Sequence, residues 1–147
     1  MRQWPITWWE LVKDERVQDG PISRQAFRNM ETGEVVGSHQ LPYGACYAQD
    51  NEKGYYPTGA DGLSIVCVIP YESASRKGVT YHHWQIDGYA TNCTKPDDKE
   101  HRCWVRRGTV GEPLHVSKEG NTCEAGAGSI SVSGFHGFLH AGILRDC

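Results

Sequence analysis

Twice in its last third the chain runs aromatic, aliphatic, two variable residues, Gly, β-branched, aliphatic. The copies are Trp104-Val105-Arg106-Arg107-Gly108-Thr109-Val110 and, 34 residues on, Phe138-Leu139-His140-Ala141-Gly142-Ile143-Leu144. Each has the form of a strand, a tight glycine turn and a returning strand, because glycine adopts the backbone conformation that short hairpin turns require. Two such units pack on each other or lie side by side in one sheet, so the closing part of the fold must be β. Upstream, Leu63–Pro70 (LSIVCVIP) is a short apolar run rich in Ile and Val between Gly62 and Pro70, the pattern of a buried strand. Val79–Asp87 reads as the next strand, closed by the Asp87-Gly88 turn signal, and Ser129–Ser133 as another. Residues 33–62 are rich in Gly, Pro, Tyr, Asn and Asp, a mixture that forms ordered loops.

The first third reads differently. Thr7 can cap a helix with Glu10 three residues on, Gly20-Pro21 stops that helix, and Pro21 opens a second one that ends at Thr32-Gly33. The expected fold is therefore mainly β (α+β). It consists of a short helical N-terminal arm over residues 1–33 and a compact antiparallel β domain with two repeated hairpins over residues 34–147. At 147 residues a single domain of this kind buries enough surface for a core of its own.

Charge and cysteine usage narrow the function. Lysine and arginine number 15 against 18 acidic residues, so no basic footprint for nucleic acid exists. The opening MRQWPITWWELVKDE is too short an apolar run for a signal peptide or a membrane span, and the expectation is a protein that is neither secreted nor membrane-bound. Six cysteines in such a chain act as free thiols or metal ligands more readily than as a disulfide framework.

The densest group of metal-ligating residue types is Asn92–Trp104 (NCTKPDDKEHRCW). Residues two apart in a strand share a face, so His101 and Cys103 can grip one ion together. The Pro96-Asp97-Asp98 turn can bring Cys93 alongside, and Cys123 can complete a closed Cys3His tetrahedron, the pattern of a structural zinc site. The spacing lacks the short C-x2-C knuckles of the specific zinc motifs. Ordinary buried thiols, or a Cys93–Cys123 disulfide, stay open as alternatives.

Other polar groups carry less. His82 and His83 are neighbours in a strand and face opposite sides, so one should be packed and the other solvated. His136 and His140 are too far apart along a strand to form one site. Gly126-Ala127-Gly128-Ser129-Ile130 fails the spacing of both nucleotide-binding motifs and reads as a tight loop. No nucleophile elbow occurs and no catalytic set is grouped in sequence, so no catalytic residue is assigned and no enzymatic activity is expected.

Two stretches suggest docking. Trp4, Trp8 and Trp9 bring more aromatic area to one end than a short helix needs, for use against the chain's own sheet or a neighbouring subunit. Arg102, Trp104 and Arg106, with Arg107, fall on what reads as the outward face of the first hairpin, a cationic and aromatic stripe suited to stacking on a partner.

The run Ile86-Asp87-Gly88, Asn92-Cys93-Thr94, His101-Arg102-Cys103-Trp104-Val105-Arg106-x-Gly108, Cys123-x-Ala125-Gly126-Ala127-Gly128-Ser129-Ile130 and His136-Gly137-Phe138-Leu139 resembles the signature of an uncharacterised small-protein family of tailed bacteriophages and prophages. Leu41-Pro42-x-Gly44-Ala45 is similar too, and the likeness spans roughly residues 41–144. The family carries no activity to transfer. The resemblance implies a structural protein of the virion, made in the host cytoplasm. A capsid decoration or cement protein is the expectation, oligomeric within the assembly and docked on the major capsid protein or on neighbouring copies. The alternative is a non-virion phage protein that binds a host or phage partner through a zinc-stabilised module. A zinc hydrolase, the third possibility, would require an open metal position with a carboxylate beside it.

Overall fold

The computed structural model describes residues 1–125 and 128–147; Gly126 and Ala127, which belong to the glycine-rich loop noted above, lie outside the described residues. Twelve strands and one 3-10 turn follow one another: β1 Gln3–Pro5, β2 Thr7–Asp19, β3 Ile22–Asn29, β4 Val35–Gly37, the 3-10 turn Ser38–Gln40, β5 Ala45–Ala48, β6 Ile65–Pro70, β7 Tyr81–Gln85, β8 Val105–Arg107, β9 His115–Ser117, β10 Ile130–Val132, β11 Phe135–His140 and β12 Ile143–Asp146. They form a six-stranded sheet in the order β4-β3-β2-β5-β6-β7, a four-stranded sheet β1-β12-β11-β10 and a two-stranded ribbon β8-β9.

The mainly β, antiparallel character stands, but the helical N-terminal arm does not. Thr7–Asp19 is a 13-residue strand, and a two-residue Gly20-Pro21 turn returns it as β3, with Asp19 opposite Ile22. Period explains the difference. Trp8 packs with one core and Trp9 with the other, as adjacent residues do in a strand whose two faces are both covered. Nor is residues 1–33 a separate arm in space: β1 pairs with β12, and β2 pairs on its other edge with β5, in parallel, at Thr7 and Trp8. The chain crosses from one sheet to the other at Ile6.

Strand β6 organises the rest. All six of its residues are buried, because Ile65, Cys67 and Ile69 point to one core while Val66 and Val68 point to the other. The larger core is closed by Ile130, Phe135, Leu139 and Leu144 from the four-stranded sheet and by Leu114 and Val116 from the end of the ribbon. The smaller one gathers Trp9, Phe27, Leu41 and Tyr47 on Val66 and Val68.

The second repeat copy is the tight hairpin its sequence implies: His140 pairs with Ile143, and Ala141 and Gly142 take φ of 50° and 80°, as a primed two-residue turn demands. The first copy is not. Its return strand is His115–Ser117, paired with Val105–Arg107, so Gly108 opens a seven-residue loop, 108–114, and Thr109-Val110 is not a strand.

Trp9→Ala tests the corrected N-terminal reading. As a core residue, 5 % exposed, its truncation should cost about 3–5 kcal/mol in denaturant unfolding. A loss below about 1 kcal/mol, normal for a surface position, would contradict it.

Candidate metal centre

Three backbone segments deliver four ligand atoms to one point. Cys93 ends a turn begun at Ala90, to whose carbonyl its N–H donates at 3.1 Å. The Pro96-Asp97 turn, closed by the Asp98 N–H on the Lys95 carbonyl at 3.1 Å, reverses the chain so that His101 and Cys103 come back beside it. Cys123 arrives from the loop after β9. That loop is tied to the same place by backbone: the Thr122 and Cys123 N–H groups both donate to the Arg102 carbonyl, at 3.0 and 3.1 Å. The Arg102 N–H in turn donates to Thr122 Oγ1 at 2.6 Å, and Asn121 Nδ2 donates to the Cys103 carbonyl at 2.9 Å.

The ligand atoms of Cys93, His101, Cys103 and Cys123 all lie within 4.8 Å of one another. His101 Nε2 is 3.1 Å from Cys93 Sγ and 3.6 Å from Cys103 Sγ, and the Cys93 and Cys123 sulfurs are 3.8 Å apart. A tetrahedral ion with M–S of about 2.3 Å and M–N of about 2.0–2.1 Å has edges of roughly 3.5–3.8 Å. The four residues can hold a metal ion. Cys103 and Cys123 are buried, as is His101 at 4 % exposure, while Cys93 is half-buried.

The surroundings prepare these atoms for a cation. His101 Nδ1 sits on the Asp98 carbonyl; a carbonyl only accepts, so Nδ1 carries the proton and Nε2 presents its lone pair to the three sulfurs, the orientation that such outer partners impose on ligating imidazoles. Tyr89 stacks on a face of that ring, centroids 4.7 Å apart and planes 16° from parallel. Backbone N–H groups aim at sulfur: Lys95 N–H at Cys93 Sγ, 3.4 Å, and those of Thr94 and Ala125 at Cys123. The Thr94 N–H foremost, then that of Ala125, bring the Cys123 thiol down to about 6 against its burial, whereas burial pushes Cys103 up to about 12. One thiolate is thus accommodated, and further ones require a positive charge among them.

All six cysteines are free thiols, which sets aside the Cys93–Cys123 disulfide. Cys46 and Cys67 form a separate buried pair, opposite each other on β5 and β6, where Cys67 and burial together raise the Cys46 thiol.

The presumed outward stripe faces inward. Trp104 and Arg106 do share a side, but that side packs on the turn after β7: Trp104 Nε1–H donates to the Ile86 carbonyl, and Arg106, its side chain 2 % exposed, lies between Asp87 at 3.1 Å and Asp61 at 2.8 Å. Arg102 is half-buried with its guanidinium on the Glu100 carbonyl at 2.9 Å. Of the N-terminal tryptophans, Trp9 is buried, and Trp4 and Trp8 are half-buried against the main core. The sharing of Asp61 and Asp87 by Arg106 had no signal in local spacing. Burial works to raise Asp61, but the Arg106 and Thr109 hydrogen bonds outweigh it and hold the carboxyl well below its usual range; burial prevails at Asp87 and raises it despite Arg106. His83 is packed, its Nδ1 2.7 Å from Tyr47 Oη, and His82 is exposed. His140 stacks on His115, not on His136.

No protein-family model matches the chain, and no curated protein or solved structure matches it.

Arg106→Met should destabilise the fold by about 3–5 kcal/mol, since it leaves Asp87 buried without its counter-charge. Asp87 also accepts the Ile65 N–H at 2.9 Å, so Asp87→Asn, which can keep that bond, should cost less. Urea unfolding of the two variants checks both the size and the order.

Proposed function

We propose that this chain is a zinc-stapled β domain with an assembly role, serving as a structural protein of a tailed-phage virion, specifically a capsid decoration or cement protein. Convergence of three thiols and one imidazole on one buried point carries the metal part of this reading. Soft sulfur donors in a tetrahedral set favour zinc over hard cations. Four protein ligands complete that coordination with no position left for a water nucleophile, which supports a structural ion. Such an ion contributes on the order of 10 kcal/mol to folding, comparable to the whole stability of a typical domain.

The virion part rests on the sequence likeness over residues 41–144. The surface supplies apolar groups for contact with the major capsid protein or neighbouring copies: Tyr55 is 78 % exposed and Ile22 and Met30 about half exposed, 49 % and 48 %. Tyrosine and methionine are over-represented in such contacts.

Elemental mass spectrometry of the purified chain should find one zinc per molecule. Chelation at neutral pH should unfold it, and Cys103→Ser should do the same, whereas Cys46→Ser, outside the cluster, should keep the metal. A folded, metal-free sample refutes the zinc. For the assembly role, peptides of the chain should be recovered from purified particles; recovery only as free protein in infected-cell lysate would favour the non-virion binding protein instead.

A further inference from the structure

Beside the metal cluster lies a cavity of about 560 Å³, within the roughly 300–1,000 Å³ that small-molecule sites occupy. One side of it is aromatic. Trp84 and Trp104 line it with ring centroids 5.6 Å apart and planes 31° from parallel, and Tyr89 adds an edge that is 37 % exposed. The remaining lining is mixed: Ala90, Ala125, Ile130 and Val132 are apolar, and Asn92, Lys118, Glu124 and Ser131 are polar. Among the described residues the four polar ones have no side-chain hydrogen bond or ion pair within the chain, so their donors and acceptors remain available.

The chemistry of that lining selects a ligand class. Lys118 and Glu124 balance each other, which disfavours a strongly charged molecule. A wholly apolar one would leave the amide, hydroxyl and charged groups desolvated and unpaired, a penalty of about 1–3 kcal/mol each. A sugar ring satisfies both requirements: its C–H face lies on an indole, and its hydroxyls both donate and accept around the rim.

We propose that this cavity is a saccharide-binding site, with Trp84 as the stacking platform and Asn92, Lys118, Glu124 and Ser131 as hydroxyl partners. The inference rests on the zinc reading, because the metal ligands carry the walls. Tyr89 stacks on His101 and, with Asn92, belongs to the segment that ends at Cys93, and Glu124 follows Cys123 directly. Metal binding therefore sets the width of the cavity.

Tryptophan fluorescence of the full, zinc-loaded chain tests it, with maltotriose, cellotriose and the N-acetylglucosamine trisaccharide as probes and the zinc content of each sample measured in parallel. At least one trisaccharide should give a saturable change. Replacing Asn92 and Ser131, both exposed, by alanine together should weaken binding tenfold or more with zinc content and melting temperature unchanged. If none of the three saturates in zinc-loaded protein, the saccharide site is wrong while the zinc reading stands. A response to the non-fluorescent tripeptide Gly-Leu-Gly alone overturns the ligand class.

Discussion

Two irregular segments, residues 86–104 and 118–125, must be held still for this fold to exist. Ordering each residue costs about 1–2 kcal/mol of backbone entropy, and loops beyond about 12–15 residues without structure of their own are uncommon in compact domains. The ribbon β8-β9 that separates them offers little help, since three paired residues on each side make a marginal unit. Yet the ribbon and these loops supply Ile86, Cys103, Trp104, Val116 and Cys123 to the main core. Cross-linking by side chains fills the gap: the cluster of Cys93, His101, Cys103 and Cys123 at one end of β8 and the Asp61–Arg106–Asp87 ion group at the other.

The two cross-links solve the same electrostatic problem in opposite ways. Around Arg106 the cation belongs to the protein, and two carboxylates are brought to it from loops far apart in sequence. In the thiol cluster the protein supplies only donors. Backbone N–H groups stabilise one thiolate at Cys123, but the buried Cys103 resists ionisation. Drawing the thiols together as anions needs an added positive charge, and the fixed Nδ1 proton of His101 leaves its Nε2 lone pair facing the same point. Ligand identity, tautomer and sulfur hydrogen bonding all agree, the consistency that distinguishes a prepared site from a chance gathering of buried thiols.

How much of this is legible in the sequence depends on how local the cause is. Strand β6 is readable because burial on both faces makes it a continuous apolar run. The cluster is readable because few residue types ligate metals and because Pro96-Asp97 announces the reversal that brings Cys93 to His101. The N-terminal hairpin is not. Between Val12 and Arg16 the pairing of β2 slips, and the displaced Lys13-Asp14-Glu15 break the two-residue alternation that would have marked a strand. Thr7 and Glu10, meanwhile, satisfy the spacing of a helix cap. The first repeat copy misleads for a related reason: Gly108 is needed less for a tight turn than for close approach, since a side chain there would run into the Pro113 carbonyl. Alternation correctly puts Trp104 and Arg106 on one side, but whether that side faces in or out is decided by Asp61 and Asp87, which no short-range pattern connects to Arg106.

The order of residues leading into β8 couples the fold to the candidate site. Cys103 belongs to the metal cluster, Trp104 to the main core and the Ile86 carbonyl, and Arg106 to Asp87 and Asp61, all within four consecutive positions. Any displacement of Cys103 would therefore move Trp104, and with it the Trp84 contact and the main core that β6 shares with the four-stranded sheet. This differs from a metal knuckle appended to a finished domain, where the core survives without the ion. Here the residue next to a candidate ligand is a core tryptophan, so the free energy of an ion bound at this cluster would go into closing the core itself.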